Sequence, residues 1–115
     1  MFDFEKLGVY VKAKDFNHSV SDFIETSLLD KPTQDQLRRA SFSIMLNIAE
    51  GSGRFTRPDR RNFYVIARGS VFECAAVMDY LKDRKLLPES SYARYYSVLE
   101  EMSKMLYALI KGLTD

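Results

Sequence analysis

The chain has 115 residues, 46% of them hydrophobic and 29% charged, with a formal net charge of +1, the size and balance of one globular domain over residues 1–115. No run of about twenty apolar residues is present, so no membrane span is expected. With a single cysteine, Cys74, and a single histidine, His18, an intramolecular disulfide is excluded and a Cys/His metal site is not expected, being short of ligands.

Residues 3–28 read as a first helix. Val9, Ala13, Phe16, Val20, Phe23 and Ile24 recur at three- and four-residue spacing. Phe4, Leu7 and Val11 fall on nearly the opposite side, and a helix apolar on two sides is either central or meets a second subunit. His18 lies among polar residues with no second histidine or nucleophile near it, the pattern of a solvated side chain. Pro32 and the residue before it resist helical continuation, which places the helix end near Asp30. The acidic opening, with no basic region ahead of an apolar one, is not a signal peptide. A lone thiol in an apolar stretch fits a cytoplasmic protein.

The second helix is expected from about Thr33 to Glu50. Thr33 is the expected N-cap, with Gln36 completing a capping box. Its apolar stripe is Leu37, Ala40 (or Ser41), Ile44, Ile48 and Gly51. Beside it runs a polar column, Arg39, Ser43, Asn47, Glu50 and Arg54, which can saturate itself with hydrogen bonds and charge pairs. Two readings stand: a partly buried network that fixes how helices dock, or a site for a ligand or an RNA phosphate. Gly51 and Gly53 are natural terminators in left-handed geometry.

The stretch 51–61 is the longest irregular segment. It holds Arg54, Arg57, Arg60 and Arg61 with Phe55 among them, and Pro58 suits the first turn of the next helix, capped by Thr56 or Arg57. Such a loop can offer guanidinium and backbone N–H groups to phosphates. It lacks the spacing of a nucleotide-binding loop, and the alternative is a solvated connection whose arginines pair with acidic neighbours. Residues 31–62 carry a net +4, against −3 for residues 1–30 and 0 for residues 63–115. Arg38, Arg39, Arg54, Arg57, Arg60 and Arg61 are therefore the candidate contacts for RNA or a partner.

The third helix should run from about Pro58 to Arg84, with a stripe of Phe63, Ile66 (or Ala67), Ser70, Cys74, Val77 and Leu81. Tyr64, Val65, Val71, Phe72, Met78 and Tyr80 occupy other faces, again more apolar cover than one contact needs. Gly69 inside a helix costs about 1 kcal/mol against Ala, so it marks a close helix approach or room for a partner side chain. Glu73 is the expected partner for an arginine of the polar column, which gives the network Arg39, Ser43, Asn47, Glu50 and Glu73. After a turn at 82–88, with Pro88 in its first turn, the fourth helix carries a heptad seam of Tyr92, Tyr95, Leu99, Met102, Leu106, Leu109 and Leu113. Its tyrosines cover the bundle end.

Four helices with short connections define an all-α, antiparallel, up-down-up-down bundle. No carboxylate pair, nucleophile–base pair or Glu-x-x-His motif accompanies them, so no enzyme, cofactor or small-molecule substrate is implied.

Residues 35–41, Ser43-Ile44, residues 47–51 and Gly53-Arg54, followed by residues 67–70 and Glu73, give the chain a resemblance to a bacterial family. These are the 23S ribosomal-RNA intervening-sequence proteins, also labelled ribosomal proteins. The matching positions include Arg38, Arg39, Asn47, Glu50, Gly51, Arg54, Gly69, Ser70 and Glu73. The resemblance implies a left-handed four-helix bundle with no established catalytic role. A related branch similar in fold, the accessory variability protein of diversity-generating retroelements, implies a pentameric ring that binds RNA and reverse transcriptase through basic surfaces. The expected partners are thus further copies of the chain, most simply a homopentamer, and RNA.

Overall fold

A computed structural model describes residues 1–114. Among them are a short 3-10 helix, Asp3–Lys6, and four α-helices: α1 Gly8–Thr26, α2 Lys31–Ser52, α3 Arg57–Asp83 and α4 Glu89–Gly112. The bundle measures 43 × 24 × 22 Å. α1 packs on α2 and α4, and α3 packs on the same two, which leaves α1 and α3 across the diagonal. One core runs through the middle. It takes Val9, Ala13, Phe16, Val20 and Ile24 from α1, Leu37, Ala40, Ile44 and Ile48 from α2, and Leu99, Met102 and Leu106 from α4. These are the stripes expected for those helices, with Phe23, Tyr92, Leu109 and Leu113 half-buried at the rim.

The first helix is broken where a continuous one was expected. Leu7 is extended (φ −79°, ψ 124°), and α1 starts at Gly8. The break lets the preceding turn fold back: Phe4 packs on Tyr10 at 4.7 Å and on Phe2 at 5.7 Å between ring centroids. Phe4 and Leu7 are half-covered as a result, and of the supposed second apolar face only Val11 is exposed. The helix also stops at Thr26 rather than near Asp30. The Thr26 hydroxyl donates to the carbonyls of Asp22 and Phe23, and Ser27 turns extended.

Asp30, not Thr33, caps α2. Its Oδ1 accepts the Thr33 N–H at 2.9 Å, and Pro32 sits in the first turn, where a missing N–H costs nothing. The bonds to Thr33 hold the Asp30 carboxyl below its ordinary value. Gln36 closes no capping box and reaches α3 instead. α2 also runs through Gly51, and Gly53 ends it in a right-handed conformation, φ −90°.

Along α3 the buried arc is Tyr64, Ala67, Ser70, Val71, Cys74, Met78 and Leu81. Ile66 is exposed, and Phe63 and Val77 are half-buried. The expected stripe was turned toward α2; contact with α4 as well as α2 rotates and widens the arc.

In the α3–α4 turn Lys85 adopts φ 59°, and the Leu86 N–H donates to Leu81 O at 2.9 Å while Leu87 plugs the core. This is a left-handed helix ending built on a residue that disfavours it. Lys85→Gly is expected to raise stability by about 1 kcal/mol in denaturant unfolding; an unchanged midpoint would show that the Lys85 conformation carries no strain. α4 itself starts at Glu89, with Pro88 just ahead of it.

Candidate partner and nucleic-acid interface

The polar column of α2 divides into parts. Its centre is a half-buried seam with α3. Ser43 Oγ and Ser70 Oγ are 2.8 Å apart, the Asn47 Nδ2 donates to Ser43 O at 2.8 Å and to Ser43 Oγ at 2.9 Å, and Ser70 Oγ–H reaches Ile66 O at 3.2 Å. One turn later Glu50 pairs with Arg54 at 2.9 Å. Arg39 is exposed and joins neither group. Glu73 accepts from Gln36 Nε2 rather than from an arginine. The reason is rotational: three residues on from Gln36, Arg39 is turned about 60° further from α3.

Asn47 holds its amide on Ser43, so Asn47→Ala is expected to cost roughly 1–3 kcal/mol by removing both of those bonds. Chemical denaturation measures it, and a loss under about 0.5 kcal/mol would mean the seam is solvated.

Three polar contacts were not anticipated from the sequence. Ser41 Oγ donates to Asn17 Oδ1 at 2.9 Å across α1–α2. Tyr95, buried, donates to Ser19 O at 3.3 Å. Arg68 Nε donates to Ser103 O at 3.1 Å, with its guanidinium over Phe72 and Tyr107, 4.9 and 5.6 Å from the ring centroids. A serine inside an apolar stripe was the only local sign of the first; nothing local marks the others.

Four of the six candidate arginines gather near the α2–α3 junction: the stretch expected to be irregular over 51–61 shrinks to residues 53–56, with Arg54 in it and Arg57, Arg60 and Arg61 in the first turns of α3. Thr56 caps α3, its Oγ1 accepting the Asp59 N–H at 3.2 Å. Arg54 lies over the Phe63 ring, 4.5 Å from its centroid. Arg60 Nε donates to Arg54 O at 2.6 Å. Arg57 Nη2 donates to Gly112 O at 2.8 Å, and Arg61 Nε to Thr114 Oγ1 at 2.8 Å. Arg57 thus sits on the last carbonyl of α4, the negative end of its dipole, and Arg61 on the hydroxyl just past it. Arg38 and Arg39 are exposed on α2, about 22 Å along the helix from Arg54 at 1.5 Å per residue. The six arginines make two separate surfaces.

A third surface is apolar. Val65 and Phe72 of α3 and Tyr107 of α4 are 41%, 56% and 54% exposed. With Arg68, Gly69 and Ile110 they line an open depression of about 490 Å³. Apart from its chain neighbours and the backbone of its own helix, no described atom lies within 4 Å of where a Gly69 Cβ would stand. Close helix approach is therefore not the role of Gly69. That role belongs to Gly51, whose Cβ would lie 2.9 Å from Phe63 Cβ.

Among the described residues no group of three or more His, Cys, Asp or Glu is placed to hold a metal ion, and no helix is long and apolar enough to cross a membrane. Cys74 is buried, and burial pushes its thiol up to about 12.

These features define the class: a four-helix protein with a polar α2–α3 seam, an arginine-bearing end and an uncovered apolar groove. The chain belongs to the 23S rRNA-intervening sequence protein family, which it matches over residues 5–108. It is similar to a crystal structure of a protein of unknown function from the S23 ribosomal protein family of Bacteroides thetaiotaomicron. The TM-score is 0.85 at 23% identity, over 90% of this chain and 98% of that one. That likeness bears on the fold. No curated protein matches the sequence.

Proposed function

We propose that the chain is a non-enzymatic scaffold of the cytoplasm. It is an antiparallel, up-down-up-down, left-handed bundle that closes into a homo-oligomer, with five copies the number the family resemblance implies. It offers the arginines of residues 54–61 to structured RNA or a ribonucleoprotein. The bond from Arg57, at the start of α3, to Gly112, at the end of α4, supports the alternating helix direction.

The observation that carries the oligomer is the open space at Gly69. A glycine inside a helix sacrifices about 1 kcal/mol against Ala, and nothing in this chain uses the space it leaves. Exposed Val65, Phe72 and Tyr107 around it supply the apolar area of a contact. A rotationally repeated contact buries that area in every copy and closes on itself.

Light scattering at micromolar concentration tests the assembly, and a monomer mass overturns it. RNA binding should weaken steeply with salt, and Arg54→Glu with Arg57→Glu should shrink the log–log salt slope by about 2. No shift of structured RNA at low salt overturns that part. A protein-only interaction module is the second reading. What favours it is that Arg54, Arg57, Arg60 and Arg61 each hold a bond within the chain. Under it the oligomer forms and RNA is never shifted.

A further inference from the structure

Phe55 is 100% exposed, the most exposed phenylalanine of the chain. It does not sit on a loose loop. The Gly53 and Arg54 N–H groups donate to Glu50 O and Gly51 O, each at 3.1 Å. The Arg60 Nε bond to Arg54 O at 2.6 Å and the Thr56 cap hold the other side. Among the described residues, no aromatic ring or cation packs on Phe55. A defined backbone thus presents a flat apolar face to water.

The surroundings indicate what covers that face. Residues 54–61 hold four arginines and one aspartate, and the immediate neighbours of Phe55 are Arg54 and Thr56. The core of a protein–protein contact is a patch of several apolar side chains, and this ring has no apolar neighbour in the loop. An isolated aromatic ring in a stretch rich in arginine is instead what an unpaired base and its phosphates require. The base stacks on the ring, and the cations take the backbone charge. Arg60 and Arg61 bond the chain through Nε, which leaves their paired terminal nitrogens, with two N–H donors each, directed elsewhere.

We propose that Phe55 is the stacking platform for a single unpaired base of an RNA loop or single strand, with Arg60 and Arg61 on the flanking phosphates. The assignment rests on the RNA reading above and narrows it to single-stranded segments.

The chain contains no tryptophan, so Phe55→Trp places one fluorophore at the site. An oligoadenylate of about ten nucleotides should bind this variant and quench its emission, and an abasic phosphodiester chain of equal charge should not quench it. Phe55→Ala should bind the oligoadenylate about tenfold more weakly or worse, with an unchanged salt slope and an unchanged melting temperature, since the ring packs on nothing. Wild-type affinity in Phe55→Ala, or unquenched Phe55→Trp in a formed complex, overturns the stacking role and leaves the RNA reading standing. A wild-type protein that binds no RNA at low salt overturns both. A Phe55→Ala variant with altered oligomer mass and unaltered RNA affinity gives the ring to a second copy of the chain and overturns the proposal.

Discussion

Gly51→Val is expected to destabilise the protein by about 3 kcal/mol, the upper end for overpacking a close contact. An added Cβ would stand 2.9 Å from Phe63 Cβ and 3.0 Å from Tyr64 Cε1. Neither neighbour can move away cheaply. A Cβ is fixed to its own backbone, and Tyr64 is 5% exposed within the core. α2 and α3 must separate, and the Ser43–Asn47–Ser70 seam lies along the same pair of helices. Gly51→Ala should lose less, about 1–2 kcal/mol, because alanine recovers about 1 kcal/mol of helix propensity. Thermal unfolding at fixed protein concentration reads the difference, and Gly51→Val should melt roughly 12–18 °C lower. Gly69→Ala is the control. With empty space around it, that variant should gain up to about 1 kcal/mol in an isolated subunit. A Gly51→Val protein melting within about 2 °C of wild type would show that the two helices part freely.

Raising the pH from 8 to 10 should also destabilise the fold, through Cys74. The thiol is fully buried in α3, and burial, with a smaller contribution from the Glu73 charge, pushes it from 9.0 up to about 12. The unfolded chain releases that proton near the ordinary thiol value, whereas the folded chain keeps it. Above that value the unfolded state therefore binds fewer protons, and unfolding gains about 1.4 kcal/mol per pH unit until the folded thiol itself ionises. The stability is intact below about pH 9 and drains away from there toward the folded value. Tyr64 and Tyr95 are raised in the same direction by burial, but from an ordinary value of 10.0, so they act later. Cys74→Ala should flatten the slope between pH 8 and 10 while leaving the tyrosine-driven loss above it. Urea unfolding at half-unit pH steps distinguishes the two. An unchanged slope in Cys74→Ala would remove the thiol from the account. Alkylation gives a second readout: at pH 8 the folded thiol, enclosed as well as protonated, should react far more slowly than in urea.

The one-sided helices were legible in advance. The α2 stripe from Leu37 to Ile48 and the α4 seam from Tyr95 to Leu106 bury as their spacing requires. α3 was read less well, because a helix packed against two neighbours has a wide apolar arc, and periodicity does not place the centre of a wide arc. Tyr64, Val71 and Met78 fell outside the expected stripe for that reason. The cap of α2 was shifted by three residues because both Asp30 and Thr33 satisfy the local chemistry. The break at Leu7 has Gly8 beside it, but a lone glycine does not mark a break, and the turn is completed by Phe4 packing on Tyr10.

The candidate site divides in the same way. The primary structure alone determined that there are four helices, which residues of α2 and α4 face inward, and that the arginines gather after α2. All of these follow from spacing within one segment. Only the tertiary structure decided that Gly51 is a contact and Gly69 an empty space, that Glu73 answers Gln36 instead of Arg39, and that Arg57 and Arg61 reach the end of α4. Each of those outcomes depends on how far one helix is rotated and slid against another. Those rotations and offsets are set by the joint packing of the whole core, which no single stretch of chain encodes.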